Sequence, residues 1–173
     1  MNAAISARLA EVAADTLERL AFIFAAPAAD APVVEESALE TVRVNFSGGF
    51  SGGLELSLSA SVLAELAANM LGADEGQALS ADEQRDALKE LVNVVCGNLL
   101  PAIAGRAQDF NIGTPCPADA DKHGWEAPAA VSHLVLENGV CRLRLRVDGR
   151  LPGEVAGLAA APLNLAEQVR CHD

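Results

Sequence analysis

The chain reads as an α+β protein, with helices packed on a largely antiparallel β-sheet, and three observations predict it. Thr41–Phe46 and Leu54–Ser59 alternate apolar and polar residues with the period of a half-buried strand. Val131–Glu137 and Val140–Val147 flank Asn138-Gly139, a preferred two-residue hairpin turn. Between these strand pairs, Leu88, Leu91, Val92, Val95, Leu99 and Ala102 recur at helical spacing as one apolar stripe. Strand pairs separated by helices in this order pack as helices over a sheet.

Taken in order, residues from Ile5 to about Phe24 form an amphipathic helix, and Pro27 to Pro32 a linker. In the first strand Val42, Val44 and Phe46 point inward, with Arg43 and Asn45 outward. In the second, Leu54, Leu56 and Leu58 alternate with Glu55, Ser57 and Ser59. Gly48-Gly49 and Gly52-Gly53 join the two; no Lys-Ser/Thr follows, so a strand connection is predicted rather than a phosphate loop. Val62 to Leu71 is a helix closed by Gly72. The next helix starts at Ala81, after Ser80-Ala-Asp-Glu83, which reads as a capping box with acids in the first turn. Pro101 is expected to kink or end it. A loop from Cys116 to Pro128 holds Trp125, expected to cover a core edge. In the last strand Cys141, Leu143, Leu145 and Val147 face in, while Arg142, Arg144 and Arg146 form an outward row, read as a solvated face or a guarded edge.

At 173 residues one domain, 1–173, is the default, with a short flexible C-terminal tail from about residue 165. The net charge of −12 argues against nucleic acid or an anionic membrane as partner. No apolar run approaches the ~20 residues of a membrane span. Glu11, Asp15 and Glu18 precede the apolar stretch at residues 19–29, where a signal peptide would be basic. Cys96, Cys116, Cys141 and Cys171 show no Cys-x-x-Cys pairing, which fits reduced thiols in a cytoplasmic protein. His123, His133 and His172 lack metal-ligand spacing and read as surface residues.

The capped helix carries the chemistry. Asp86, Glu90 and Asn93 stand four and three residues apart, on one face and about a turn from one another. With Asp82 and Gly97 they fill a band of roughly 80° opposite the apolar stripe. Gly97 costs about 1 kcal/mol of helix propensity relative to Ala, and it leaves bare backbone beside Asn93 for another molecule to approach. A plain wet face would account for the acids; Asn is a mediocre helix former there.

These residues resemble the signature of the CheC/CheX/FliY family of chemotaxis phosphatases: Asp or Ser, three residues, Glu, two residues, Asn, then a small residue a turn later. The resemblance extends to Val42–Ser59 as strand, Gly-rich link and strand, to Val62–Gly72 as the following helix, and to Phe110–Pro117 as an exit strand. It runs in order from about residue 5 to about residue 150 and implies one CheC/CheX-like domain. It also implies an enzyme that dephosphorylates the aspartyl phosphate of a CheY-like response regulator. Asn93 would orient the attacking water, Glu90 would pair with a receiver lysine, and Asp86 and Gly97 would border the partner. No cofactor of its own is implied; Mg2+ is expected on the receiver. Some relatives carry a second motif on a repeated helix, but Glu65 and Asn69 are four apart, and Glu11, Glu18 and Glu167 lack an Asn three residues on. A single motif resembles CheX, which implies a homodimer. The alternative, from a different class, is a docking module that binds a receiver or another signalling protein without useful catalysis. Burial of the motif in a dimer contact, a kink at Pro101 or the Cys116–Trp125 loop folded across the face would favour it.

Overall fold

The computed structural model describes residues 3–28, 30–33, 35, 38–74, 77–105, 107–118 and 127–149. The expectations for His123, Trp125, Cys171, His172 and the tail from about 165 lie outside these described residues. Three helices, α1 (Ala3–Ala21), α2 (Ala60–Leu71) and α3 (Ala81–Ala104), lie with seven strands: β1 (Ala25–Pro27), β2 (Leu39–Gly48), β3 (Ser51–Ser59), β4 (Phe110–Ile112), β5 (Cys116–Pro117), β6 (Ala130–Leu136) and β7 (Gly139–Asp148). The strands form one antiparallel sheet of order β1-β6-β7-β3-β2-β4, with β5 also on β2. The α+β expectation is met.

Alternation sets the layers. Val44, Leu54, Leu145 and Ala130 run side by side across four strands, and Val42, Leu56 and Leu143 across three, all fully or nearly fully buried under the helices. Against this inner face, the α3 stripe buries Leu88, Leu91, Val92, Val95 and Leu99, with Ala102 half-buried. α1 lies over β1 and β6, and α3 over β2, β3 and β4. At about 25 cal/mol per Å² of apolar surface, such leucines stabilise the fold by roughly 2 kcal/mol each. By length and average composition α3 could span a bilayer, contrary to the sequence expectation; half of that stretch is buried inside the fold.

The sheet order has an internal two-fold pattern. Exchanging α1-β1-β2-β3 for α3-β4-β6-β7 exchanges β1 with β4, β6 with β2 and β7 with β3, leaving the order unchanged. Both long helices end alike. Phe22 N–H donates to Glu18 O at 3.0 Å, and Gly105 N–H to Pro101 O at 3.0 Å. Both terminal residues have a positive φ, 54° at Phe22 and 83° at Gly105. α2 links the halves, and its Asn69 amide donates to Ala21 O at 2.6 Å, at the end of α1.

Four sequence expectations change. The first helix stops at Ala21 rather than near Phe24. From there Ile23 is buried while Phe22 and Phe24 are exposed, so the apolar run that looked helical is alternating chain leading into β1. The late hairpin pairs Leu136 with Gly139, so the loop is Glu137-Asn138 rather than Asn138-Gly139, and none of the three has a positive φ. Gly139 is there for space, since a Cβ would stand 2.7 Å from Ser59 Cβ and 2.8 Å from Val62 Cγ2. Pro101 does not end α3, which runs one more turn to Ala104. The Arg row is no guarded edge, because β7 is flanked by β6 and β3.

Candidate functional site

The motif helix begins as its sequence dictates. Ser80 Oγ accepts from the Glu83 amide at 3.3 Å, and the Glu83 carboxylate accepts from the Ser80 amide at 2.8 Å. The Ser80 hydroxyl and amide hold the Glu83 carboxyl below its usual range. This box fixes the start of α3 and therefore the face that each later residue presents.

The structure brings the four predicted residues together on that face. Asp86 and Glu90 are exposed; Asn93 and Gly97 are half-buried. Neither the Glu90 carboxylate nor the Asn93 amide has a hydrogen-bond or ion-pair partner among the described residues. Asp86 does have one: its Oδ1 accepts from Lys89 Nζ at 2.8 Å. One turn earlier, Asp82 Oδ1 accepts from Arg85 at 3.2 Å. Beyond Gly97 lies Ile112 of β4; a Cβ on Gly97 would stand 3.8 Å from Ile112 Cδ1, an ordinary contact. The bare backbone expected at Gly97 is therefore bordered by this methyl group.

Pro101 acts on the same place. It lacks the N–H that would donate to the carbonyl four residues back, which is that of Gly97. The Gly97 carbonyl therefore receives no N–H from Pro101. α3 is nevertheless continuous from Asp86 through Asn93 to Ala104.

Other reactive groups nearby are inert or structural. Cys96 faces the core, and burial pushes its thiol up to about 12; buried Cys141 is likewise at about 12. Cys116 is exposed, and all three thiols are free. His133 is half-buried rather than a plain surface residue, and burial, then the Arg142 charge opposite it, lower its pKa. Among the described residues no three His, Cys, Asp or Glu side chains gather as metal ligands. Asn69, the near-miss of a second motif, is used to close α1.

The internal repeat locates the counterpart of the site. Shifting by 83 residues (105 less 22, as 101 less 18) superposes the helix ends. Asp86, Glu90, Asn93 and Gly97 then fall on Ala3, Ala7, Ala10 and Ala14. The first, N-terminal half thus has alanine at every motif position. A cavity of about 390 Å³ opens there, lined by Ala7, Ala10, Asp30 and His133 among others. Sequence reasoning missed Lys89 and Ile112. The spacing of Asp86 and Lys89 could have revealed the ion pair, whereas nothing local placed β4 beside Gly97.

Three helices over a twofold-patterned antiparallel sheet, with an acid and an amide unpartnered among the described residues on an outer helix face, define the α+β class to which the chain belongs. Residues 41–137 match the family described as chemotaxis phosphatase CheX, and the chain belongs to that family. No curated protein matches the chain. Among solved structures, CheX from Vibrio vulnificus is similar over 86% of this chain and 99% of its own, with TM-score 0.67 and 18% identity. CheX from Desulfovibrio desulfuricans is similar over 83% and 99%, with TM-score 0.62 and 18% identity. CheX from Borrelia burgdorferi, in complex with CheY, BeF3 and Mg2+, is similar over 83% and 97%, with TM-score 0.59 and 12% identity. At these identities the likeness is one of fold.

Proposed function

We propose that this CheX-family phosphatase accelerates hydrolysis of the aspartyl phosphate of a CheY-like response regulator, with Asn93 as catalytic residue and Glu90 as docking residue. The observation that carries the reading is the pair itself: an acid and an amide three residues apart on α3, both without partners among the described residues. Phosphoryl transfer needs an in-line nucleophile and charge stabilisation more than covalent help. The Asn93 amide can accept a hydrogen bond from a water and donate one to a phosphoryl oxygen, so it aims the water without acting as a base. Holding water in an attack geometry is an orientation effect worth several kcal/mol. Glu90 offers a carboxylate to a receiver lysine a turn away from that amide. The Borrelia relative in complex with CheY, BeF3 and Mg2+ supports a receiver as partner and the receiver as carrier of the metal. The likeness to CheX also supports a homodimer, which sedimentation equilibrium tests directly.

The test is phosphate release from a phosphorylated CheY-like receiver with Mg2+. The wild type is expected to accelerate it. Asn93→Ala, still folded by circular dichroism, is expected to lose about 100-fold or more in kcat/KM. Glu90→Ala is expected to act mainly on KM, by roughly tenfold. If no receiver of the same organism is dephosphorylated faster, catalysis is ruled out and the chain is a docking module.

A further inference from the structure

The motif face has a cation that the function above does not use. At roughly 100° per residue, Asn93 lies near the middle of the face, with Glu90 roughly 60° to one side and Lys89 roughly 40° to the other. Helical side chains lean toward the N-terminus, so the Asn93 amide lies over the turn that holds residues 89 and 90. An ammonium and a carboxylate therefore flank the amide on opposite sides. The ammonium is held there: Asp86 Oδ1 stands 2.8 Å from Lys89 Nζ, and the Lys89 side chain is 34% exposed against 72% for Asp86. Asp86 occupies one of three N–H donors, which leaves two to point outward. Lysine is scarce in this chain, with Lys89 and Lys122 against ten arginines, and the net charge is −12.

A partner that carries an aspartyl phosphate and Mg2+ must present carboxylates to hold the metal. Such a rim repels Asp82, Asp86 and Glu90 unless a cation meets it. We infer that Lys89, positioned by Asp86, is a second docking residue. It pairs with a carboxylate at the rim of the receiver's phosphorylation site while Glu90 takes the receiver's cation, so that the two charges fix the direction in which Asn93 enters. The inference rests on the proposed phosphatase reading and deepens it by assigning Asp86 a role through Lys89. Opposed charges across an interface set register and suppress the reversed orientation.

Steady-state phosphate release separates the parts. Lys89→Met is expected to raise KM for the phosphorylated receiver about tenfold with kcat within about twofold, and to weaken the salt dependence of KM. Lys89→Arg restores most of the affinity. Asp86→Asn added to Lys89→Met changes nothing further. A fall in kcat at unchanged KM would overturn the docking assignment, because it would place Lys89 on the phosphoryl group. An additive loss in the double variant would remove Asp86 from it. Binding of a BeF3-activated receiver to the Asn93→Ala protein, by calorimetry, reads the same contact without turnover. There Lys89→Met is expected to weaken binding about tenfold, and equal affinities would sink the inference. If the wild type neither binds nor dephosphorylates any receiver, the parent reading has failed; if it does both and Lys89→Met matches it, this inference alone has failed.

Discussion

At Gly97 the motif, the proline and the sheet edge meet. Space does not require glycine there, since a Cβ would make only an ordinary contact with Ile112. Gly97→Ala is therefore expected to stabilise α3 by about 1 kcal/mol through helix propensity. Thermal unfolding reads this as a rise in Tm of a few degrees. If Gly97 also borders the partner, the same variant raises KM for the phosphorylated receiver. A stabler protein with unchanged KM would remove Gly97 from the contact with the partner. The acid–amide pair was legible because its residues stand at helical offsets within one well-capped element. Lys89 was not, because it lies on the flank of the stripe, where a charged residue has an ordinary explanation. Its meaning comes from the 2.8 Å contact with Asp86.

Elements were legible where one periodicity holds throughout, as in β2, β3 and α3, and misread where it changes inside an apolar run. The end of α1 is the clearest case. Ala-Phe-Ile-Phe-Ala looks like continued helix, but Phe22 takes a left-handed φ of 54° and the chain turns into β1. That conformation costs a non-glycine residue about 1–2 kcal/mol, and the Phe22 side chain recovers little by burial, being 75% exposed. Its counterpart at the end of α3 is Gly105, with φ 83° and the same closing hydrogen bond. Phe22→Gly is expected to stabilise the protein by about 1 kcal/mol, the relief of strain exceeding the added freedom of the unfolded chain. Gly105→Ala should be destabilising by about 1–3 kcal/mol, because φ 83° with ψ 155° is a conformation essentially restricted to glycine. Urea titration of both checks the pair; a destabilised Phe22→Gly would show that the exposed ring is held by contacts worth more than the strain. The hairpin loop slipped by one residue for a related reason. Asn-Gly is a strong local turn signal, but packing of Gly139 against Ser59 and Val62 overrides it.

Over the whole molecule, the internal repeat could not be read from the chain, because its halves share inward–outward parity but not residues. Leu54 and Leu143 do the same work, as do Phe22 and Gly105. The seam between the halves is the β3–β7 pairing, and its outer face is held by charge. Glu55 is buried there, its side chain 6% exposed, with Arg144 of β7 at 3.1 Å and Arg43 of β2 at 3.4 Å. The Arg144 and Arg43 side chains are 25% and 14% exposed. One carboxylate thus ties three neighbouring strands and joins one half to the other. The outward arginines were visible in the alternation of β7, but their partner was not, since register decides that Glu55 stands opposite both Arg43 and Arg144. Removing the shared acid leaves two guanidinium groups side by side in a poorly hydrated place, and breaking such a pair costs about 3–5 kcal/mol. Glu55→Ala is therefore expected to lower the urea midpoint sharply at unchanged slope, with Glu55→Gln intermediate because its amide oxygen still accepts one hydrogen bond. In the urea titration, a loss below about 1 kcal/mol for Glu55→Ala would mean that water reaches these charges and that the inner leucine layer alone holds the seam.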